Sequence, residues 1–397
     1  MVISSTLEEV SLLEVCDFYS GKAHEHYVTT NGKYKIINSK FVATDGEVFK
    51  ESNQSFLTAK KNDITMVMSD LPNGRALAKC FLVDQEDKYA VNQRVCILRS
   101  KGYDPKYLYY VLNRNPYFLA FNDGVSQTHL LNHVFEKCKL MITKDVVEQK
   151  AIAEALSDID ELISSLKLEL NKKALLLDAL RCELMPNNFL NSNLPVGWEV
   201  KRLGDVGNIT GAGVDKVIRT DDKFVQLVNY MDVYRNLFVD EKIVFMSTTA
   251  TQSQIQNCDL IEGDVLFTPT SETPEDIAQS AAIKGNLKNC LYSYHLVRFR
   301  PKITFNVEYL AHCFNLADFK RQTLRAAEGS GTRYVITLPR FRNLEFPFPD
   351  LAEQERIGKC LSEAAEEVSN AKMLLTKYLS VKQGMMNDLL TGKVRLV

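Results

Sequence analysis

Asn115-Pro-Tyr-Phe118 has the outline of the Asn-Pro-Pro-Tyr/Phe loop of amino methyltransferases, but it lacks the second proline. No glycine-rich cofactor loop precedes it after a strand, so Pro116 reads as a helix terminator. Gly211-Ala-Gly213 lacks the third glycine of a dinucleotide fingerprint and reads as a turn. His129-Leu-Leu-Asn-His133 sets two imidazoles four residues apart, without the glutamate of H-E-x-x-H and without an evident third ligand. His24-Glu-His26 reads as exposed surface on an extended segment, and Glu366-Glu367 as solvated charge on a helix. No G-x-x-x-x-G-K-[ST] is present, so there is no phosphate cradle for ATP. No acid–base, nucleophilic or metal-binding set emerges, and the expectation is a chain with no catalytic residues and no metal.

The elements that would position any site come next. A length of 397 residues exceeds one ordinary core and predicts two or more domains. Hydrophobic residues are 45% and charged residues 25%, which excludes a disordered or collagen-like chain. Nine cysteines, odd in number and without a C-x-x-C, fit a reducing cytoplasm rather than a disulfide framework. No apolar run reaches the roughly 18 residues of a membrane span, and Met1 to Val10 has no basic stretch leading into an apolar one.

An internal repeat organises the chain. Val147–Pro186 laid over Ala352–Thr391, without gaps, gives 11 identities in 40 positions, among them Glu148/Glu353, Gln149/Gln354, Ser157/Ser362 and Lys167/Lys372. A shared apolar heptad would align leucines, but it would not align Glu-Gln, serines and lysines, so duplication is the better account. Both copies carry apolar residues at alternating spacings of four and three, which predicts two long helices that can bury one another's stripes. Gly358 and Gly384 in the second predict less rigidity near its ends. The blocks before each helix also correspond: Asn62-Asp63-Ile64 falls on Gly263-Asp264-Val265, and Gln93-Arg94-Val95 on Tyr294-His295-Leu296. Runs near 34–41, 64–68, 94–99, 224–231 and 294–300 read as strands, and 105–113 and 307–326 as helices. The expected fold is α+β. Two duplicated α/β globules, 1–145 and 191–349, would be separated by two long antiparallel coiled-coil helices, 146–190 and 350–397, in a pseudo-twofold arrangement.

Such a device is a two-point ruler, and duplex DNA is an extended ligand that suits one. The formal charge of −2 is no bar, because it is unevenly spread. Residues 1–145 carry 18 basic against 17 acidic residues, 146–190 carry 5 against 8, 191–349 carry 18 against 18 and 350–397 carry 7 against 7. Lys88, Arg94, Arg99, Lys101, Lys106 and Arg114 face a single acid across 88–114. Lys320, Arg321, Arg325, Arg333, Arg340 and Arg342 do the same across 319–343. Patches of this kind neutralise phosphates locally, with a partner supplying much of the remaining contact.

Leu194-Pro-Val-Gly-Trp198 leading into Leu203-Gly-Asp-Val206 resembles the start of a target-recognition domain in type I restriction–modification specificity subunits. So do Gly263-Asp-Val-Leu266, Tyr89-Ala-Val-Asn92-Gln93, Gly329-Ser-Gly-Thr-Arg333, Pro349-x-Leu351-x-Glu353-Gln354 and Leu390-Thr-Gly-Lys-Val-Arg395. The first half departs from the pattern: it has no Pro-x-Gly-Trp near residue 6, Asn62 replaces the usual glycine, and Val146-Val147 precedes Glu148-Gln149. The resemblance implies a non-catalytic protein whose globules each read one part of a split, asymmetric DNA sequence while the helix pair fixes the spacer. It implies two adenine-N6 methyltransferase subunits that bind S-adenosylmethionine, and two translocase and endonuclease subunits that use ATP and magnesium. It implies a cytoplasmic role in phage defence, with no cofactor in this chain and no membrane. The alternatives are the specificity subunit of a related type IIB or IIG-like system, and a coiled-coil scaffold that binds protein without reading bases.

Position in the repeat nominates the DNA-binding residues. The turn before Thr128-His129 aligns with Gly331-Thr332-Arg333 on an offset of 204, so Thr128, His129, Thr332 and Arg333 come first. Lys22, Lys35, Arg75 and Lys79 in the first globule, and Lys216, Arg219, Asn229 and Tyr230 in the second, follow. Leu156, Ile163, Leu361 and Val368 are the structural residues that set the spacing.

Overall fold

A computed structural model describes residues 7–71, 74–191 and 194–396. The first six residues of the first block, and with them most of Met1 to Val10, lie outside the described residues. One compact unit comprises Met1–Lys167 with Leu374–Val397, and the other comprises Leu168–Met373. Each mixes helices with largely antiparallel strands.

In the first unit, Val95–Ser100 is a central strand, paired antiparallel to Cys16–Ser20 on one side and Ile64–Val67 on the other. Four consecutive apolar residues, Val95 to Leu98, suit it, because a strand sends alternate side chains to opposite faces. Cys96 and Leu98 enter a core with Tyr107, Leu108 and Leu156. Val95 and Ile97 enter a second core with Ile37, Phe41 and Val91. Beyond that second core lies a five-stranded sheet in which Tyr34–Ile37 runs parallel to Tyr89–Val91.

The second unit repeats the plan. Val297–Pro301 pairs with Gly207–Thr210 and with Val265–Phe267. Val265, Phe267, Val297 and Phe299 face a core containing Tyr309, Leu310 and Leu361, whereas Leu266 and Leu296 face one containing Leu227, Ile283 and Tyr292.

Two duplicated hydrogen-bond sets explain residues that the sequence repeats. The Arg99 guanidinium donates to both oxygens of buried Asp63 at 2.7 and 2.8 Å, and Arg300 does so to Asp264 at 2.8 and 2.6 Å. Gln149, fully buried, accepts from the Asp104 N–H at 2.8 Å and donates to the Thr143 carbonyl at 2.9 Å. Gln354 accepts from the Asn306 N–H at 3.1 Å and donates to the Pro349 carbonyl at 2.9 Å. Each glutamine thereby locks the start of a long helix to the start of the helix beside it, Pro105–Leu112 or Val307–Cys313. Asn62 stands where its counterpart is Gly263 because both have left-handed backbone, φ +70° and +89°, which asparagine tolerates better than other side chains.

Local readings are corrected at five places. The stretch 224–231 is strand only to Val228, in Lys223–Val228, before the helix Tyr230–Tyr234, and 294–300 is strand only from Val297, because Tyr294 and His295 sit in a turn. The stretch 34–41 is strand only for Tyr34–Ile37, since the Asn38 side chain accepts from the Phe41 N–H at 2.9 Å and starts the helix Ser39–Ala43. Pro116 opens the helix Pro116–Leu119 and does not close the preceding one, which ends at Leu112. The stretch 307–326 is two helices, Val307–Cys313 and Ala317–Ala326.

The two long helices run over Val146–Leu184 and Leu351–Leu390. Their first turns belong to the globule cores: Ile152 and Leu156 pack in the first unit, and Ile357 and Leu361 in the second. Within the first unit, Asp160 pairs with Lys382 at 2.5 Å, and within the second, Lys173 pairs with Glu367 at 2.9 Å. Ile163 is buried, Val368 is half-buried, and Leu168 and Leu175 are exposed.

Candidate nucleic-acid interface

One polar corner recurs in both units, and its floor is a tight turn. The Val95 N–H donates to the Asn92 carbonyl at 2.9 Å, leaving Gln93 and Arg94 exposed at the apex. In the second unit the Leu296 N–H donates to the Ser293 carbonyl at 2.9 Å, leaving Tyr294 and His295 exposed. A glycine presses on each turn from the segment that follows the strand Cys16–Ser20 in the first unit and Gly207–Thr210 in the second. A Cβ on Gly21 would lie 2.0 Å from the Asn92 oxygen, and one on Gly213 would lie 2.3 Å from the Ser293 carbonyl carbon, so no other residue fits there.

The segment after Gly21 buttresses the first turn. His24 is fully buried, against the expectation of exposed surface for His24-Glu-His26. Its Nδ1 lies 2.6 Å from the Lys22 carbonyl, and its Nε2 accepts from the Phe56 N–H at 3.1 Å, which fixes a neutral ring with the proton on Nδ1. The His24 N–H donates to the Asn92 side-chain oxygen at 3.1 Å, and the Asn92 amide donates to Glu25 at 2.9 Å. That bond holds the Glu25 carboxyl below the usual carboxylate range. Glu25 in turn accepts from the Gln93 amide at 3.4 Å.

A short strand forms the facing wall. Thr128–His129 pairs with Ser69–Asp70, and Arg333–Val335 pairs with Thr270–Ser271. The registers place Thr128 opposite Asp70 and Tyr334 opposite Ser271. The Leu130 N–H donates to the Met68 carbonyl at 2.7 Å, and the Ile336 N–H to the Pro269 carbonyl at 2.9 Å. Thr128-His129 therefore corresponds to Tyr334-Val335 and not to Thr332-Arg333, a correction of two residues in the expected alignment. The cause is an unequal loop before the strand, which an ungapped comparison cannot register.

The nominated residues separate by what their side chains do. His129 lies beside the Arg94 turn, on a hollow of about 420 Å³ shared with Ser20, Gln93 and Asn132. Lys22, Arg75, Lys216, Thr332 and Arg333 are exposed, and none of these cations has an ion-pair partner among the described residues. Lys216 and Arg333 come near His295; its partial burial, and then their charges, hold the imidazole below the ordinary histidine range. The other nominees work within the fold. Thr128 is buried, with its hydroxyl 3.4 Å from the Asn122 side-chain oxygen. Lys79 bonds the Ala43 carbonyl and Asp45, both at 2.9 Å, and Lys35 lies 4.3 Å over the Phe49 ring. Arg219 is clamped by Asp215 at 3.0 and 2.7 Å. The Asn229 N–H bonds Asp232 at 2.8 Å at the start of the helix Tyr230–Tyr234, and the Tyr230 hydroxyl donates to the Thr270 carbonyl at 3.0 Å.

The two basic clusters are partly spent in the same way. Arg99 serves Asp63, Lys101 serves Asp17, Arg114 donates to the Arg75 carbonyl, Arg321 pairs with Asp318 and Arg340 with Glu328. Among the described residues Arg94 has no ion-pair partner, and it borders two hollows of the first unit. Sequence reasoning passed over it as a site residue, although its match with His295 in the repeat was legible. His129 and His133 do not share a helix face, since Thr128–His129 is strand and the next helix is Asn132–Glu136. Among the described residues, no three His, Cys, Asp or Glu side chains gather as a metal set, and no helix is long and apolar enough to cross a membrane.

One unit built twice, with one polar corner in each copy, defines a duplicated recognition architecture. Residues 4–175 and 195–373 match the family model described as type I restriction modification DNA specificity domain, and the chain belongs to that family. It is 23% identical over 313 residues to the type I restriction enzyme MjaVIII specificity subunit of Methanocaldococcus jannaschii, covering 75% of this chain and 72% of that one. The fold is similar to the crystal structure of a type I restriction–modification S subunit from M. genitalium, with TM-score 0.63, 15% identity and 98% of each chain covered. It is also similar, at TM-score 0.54, 14% identity and 97% of each chain, to a chain from a structural study of complex assembly and conformational transition of the type I R-M system.

Proposed function

We propose that this chain is the DNA-reading subunit of a type I restriction–modification complex and performs no chemistry itself. Each globule, 1–145 and 191–349, reads one half of a split asymmetric duplex target. The helices 146–190 and 350–397 act as an antiparallel spacer that sets the distance between the halves. Two adenine-N6 methyltransferase subunits carrying S-adenosylmethionine, and two translocase and endonuclease subunits using ATP and magnesium, act where it directs them, in the cytoplasm.

The observation that supports this most is the repetition of one polar corner, with its turn bond, its pressing glycine and its facing strand, in two units of a chain belonging to a DNA specificity family. Lys22, Arg75, His129, Lys216, Thr332 and Arg333 are the side chains of the original set that are free to meet a duplex. Few in number, they suit a reader whose partners supply most of the phosphate neutralisation.

The test is single-molecule methylome sequencing of cells that express the chain together with its methyltransferase and have no other adenine methylation. A bipartite motif with a fixed gap is the expected result. Methylation at a continuous motif, or motif-independent methylation, would reject the reading.

A further inference from the structure

We propose that the apex of the duplicated turn is the base-reading element of each unit: Arg94 selects a guanine in one half-site, and His295 occupies the same post for the other. This rests on the DNA-reading function proposed above and names the residues that decide specificity.

The first argument is position. The apex residues Gln93-Arg94 and Tyr294-His295 are fixed by matching 2.9 Å turn bonds and matching glycine contacts, yet they differ completely in side-chain chemistry. A rigid frame that presents variable polar tips is what a reader of two different half-sites requires.

The second argument is what surrounds Arg94. Its guanidinium has no ion-pair partner among the described residues, in a unit where Arg99, Lys79 and Lys101 are all paired. It borders two hollows, of about 400 and 420 Å³. One holds Glu25, Asn38, Ser39, Lys40 and Asn92 as well, and the buried Ser39 hydroxyl has no hydrogen-bond partner among the described residues. The other holds Ser20, His129 and Asn132. Lys40 and Glu25 carry opposite charges there, and the remaining groups around Arg94 are amides, hydroxyls and one imidazole, the kinds that bond base edges; a phosphate-binding patch would concentrate cations instead. An arginine among them presents the two-pronged donor that matches the O6 and N7 acceptors of guanine.

The third argument is the second unit. His295 packs against Tyr294, with ring centroids 3.8 Å apart, and the charges of Lys216 and Arg333 lie near it. A neutral imidazole offers one donor and one acceptor to a base edge, while the two cations flanking it meet the backbone.

The experiment uses the full chain co-expressed with its methyltransferase and reads the methylome of wild type, Arg94→Ala, Arg94→Lys and His295→Ala. The wild type must give a bipartite motif; if it does not, the proposed function fails, whatever Arg94 does. Given that motif, both Arg94 variants relax one guanine position in one half-site by about fivefold to a hundredfold in preference, and leave the other half-site and the gap unchanged. His295→Ala relaxes the opposite half-site alone. Arg94→Lys is the decisive variant, because lysine keeps the charge but loses the fork. Retention of the full motif by Arg94→Lys would mark Arg94 as a phosphate contact and overturn the assignment. So would a uniform loss of methylation at an unaltered motif in the alanine variants, or a wild-type motif without guanine in either half.

Discussion

The Arg395 guanidinium closes on the Glu148 carboxylate with bonds of 2.7 and 2.8 Å, joining residues 247 positions apart in the chain. Glu148 is buried, opens the first long helix and also accepts from the Thr143 hydroxyl at 2.8 Å. The Arg395 bonds hold its carboxyl below the ordinary value of 4.5. A carboxyl depressed in the folded state contributes stability above its unfolded pKa and loses it as the pH falls through the folded one. Arg395→Ala should therefore lower the melting temperature at pH 7. The gap from wild type should narrow as the pH is taken below about 4.5. A gap that stays constant across pH would show that the pair is not the cause.

Arg300 and Asp264 form the tighter of the two repeated pairs. Asp264 is completely buried, and it also accepts from the Ile261 N–H at 3.0 Å. Removing the guanidinium leaves an unpaired carboxylate in the interior. Because Arg300 itself is partly exposed and water can reach the gap, the cost should fall near or below the low end of the buried-pair range, about 2–3 kcal/mol. Chemical denaturation of Arg300→Ala should show that loss, and Arg300→Lys should recover only part of it, since lysine cannot make both bonds. A lysine variant as stable as wild type would contradict the bidentate account.

Gly358 and Gly384 lie in one helix, and alanine at the two should have opposite effects. At Gly384 nothing lies within 4 Å of a new Cβ, so alanine should stabilise by up to about 1 kcal/mol through helix propensity alone. At Gly358 the new Cβ would sit 2.5 Å from the Asn306 side-chain oxygen and 2.7 Å from the Tyr309 nitrogen, two atoms bonded to each other at 2.8 Å. The overpacking penalty of about 1–3 kcal/mol then outweighs the propensity gain. Melting temperatures of the two single variants should move apart, and a shared upward shift would refute the contact.

The same pair shows where sequence reasoning reached and where it stopped. Glycine in a helical pattern reads as weakness when only propensity is considered, yet Gly358 is the space through which the helix Val307–Cys313 approaches. The Glu-Gln repeat, by contrast, was fully visible, because Gln149 and Gln354 do identical work on close neighbours and so keep identical types. His24 was misread because its Nε2 partner, Phe56, is 32 residues away and leaves no trace in the spacing His-x-His. Thr128-His129 was equated with Thr332-Arg333 because unequal loops shift the facing strand by two residues, and only hydrogen-bond register reveals that shift. Periodicity found the long helices but not that Leu156 and Leu361 serve globule cores, since a seam residue and a core residue share the same apolar type.

The proposed spacer role turns on the part of the helices beyond those first turns. Lys173 pairs with Glu367 there, so the matched region in the second helix lies near 369–371. Inserting four residues after Glu169 and four near Asn370 adds about one helical turn, roughly 6 Å at 1.5 Å per residue. At about 3.4 Å per base pair, the tolerated gap in the motif should lengthen by about one to two base pairs while both half-sites stay as they were. Methylome sequencing of the inserted chain reads both quantities together. Altered half-sites with the gap unchanged would mean that the helices tune the globules and do not measure the DNA between them.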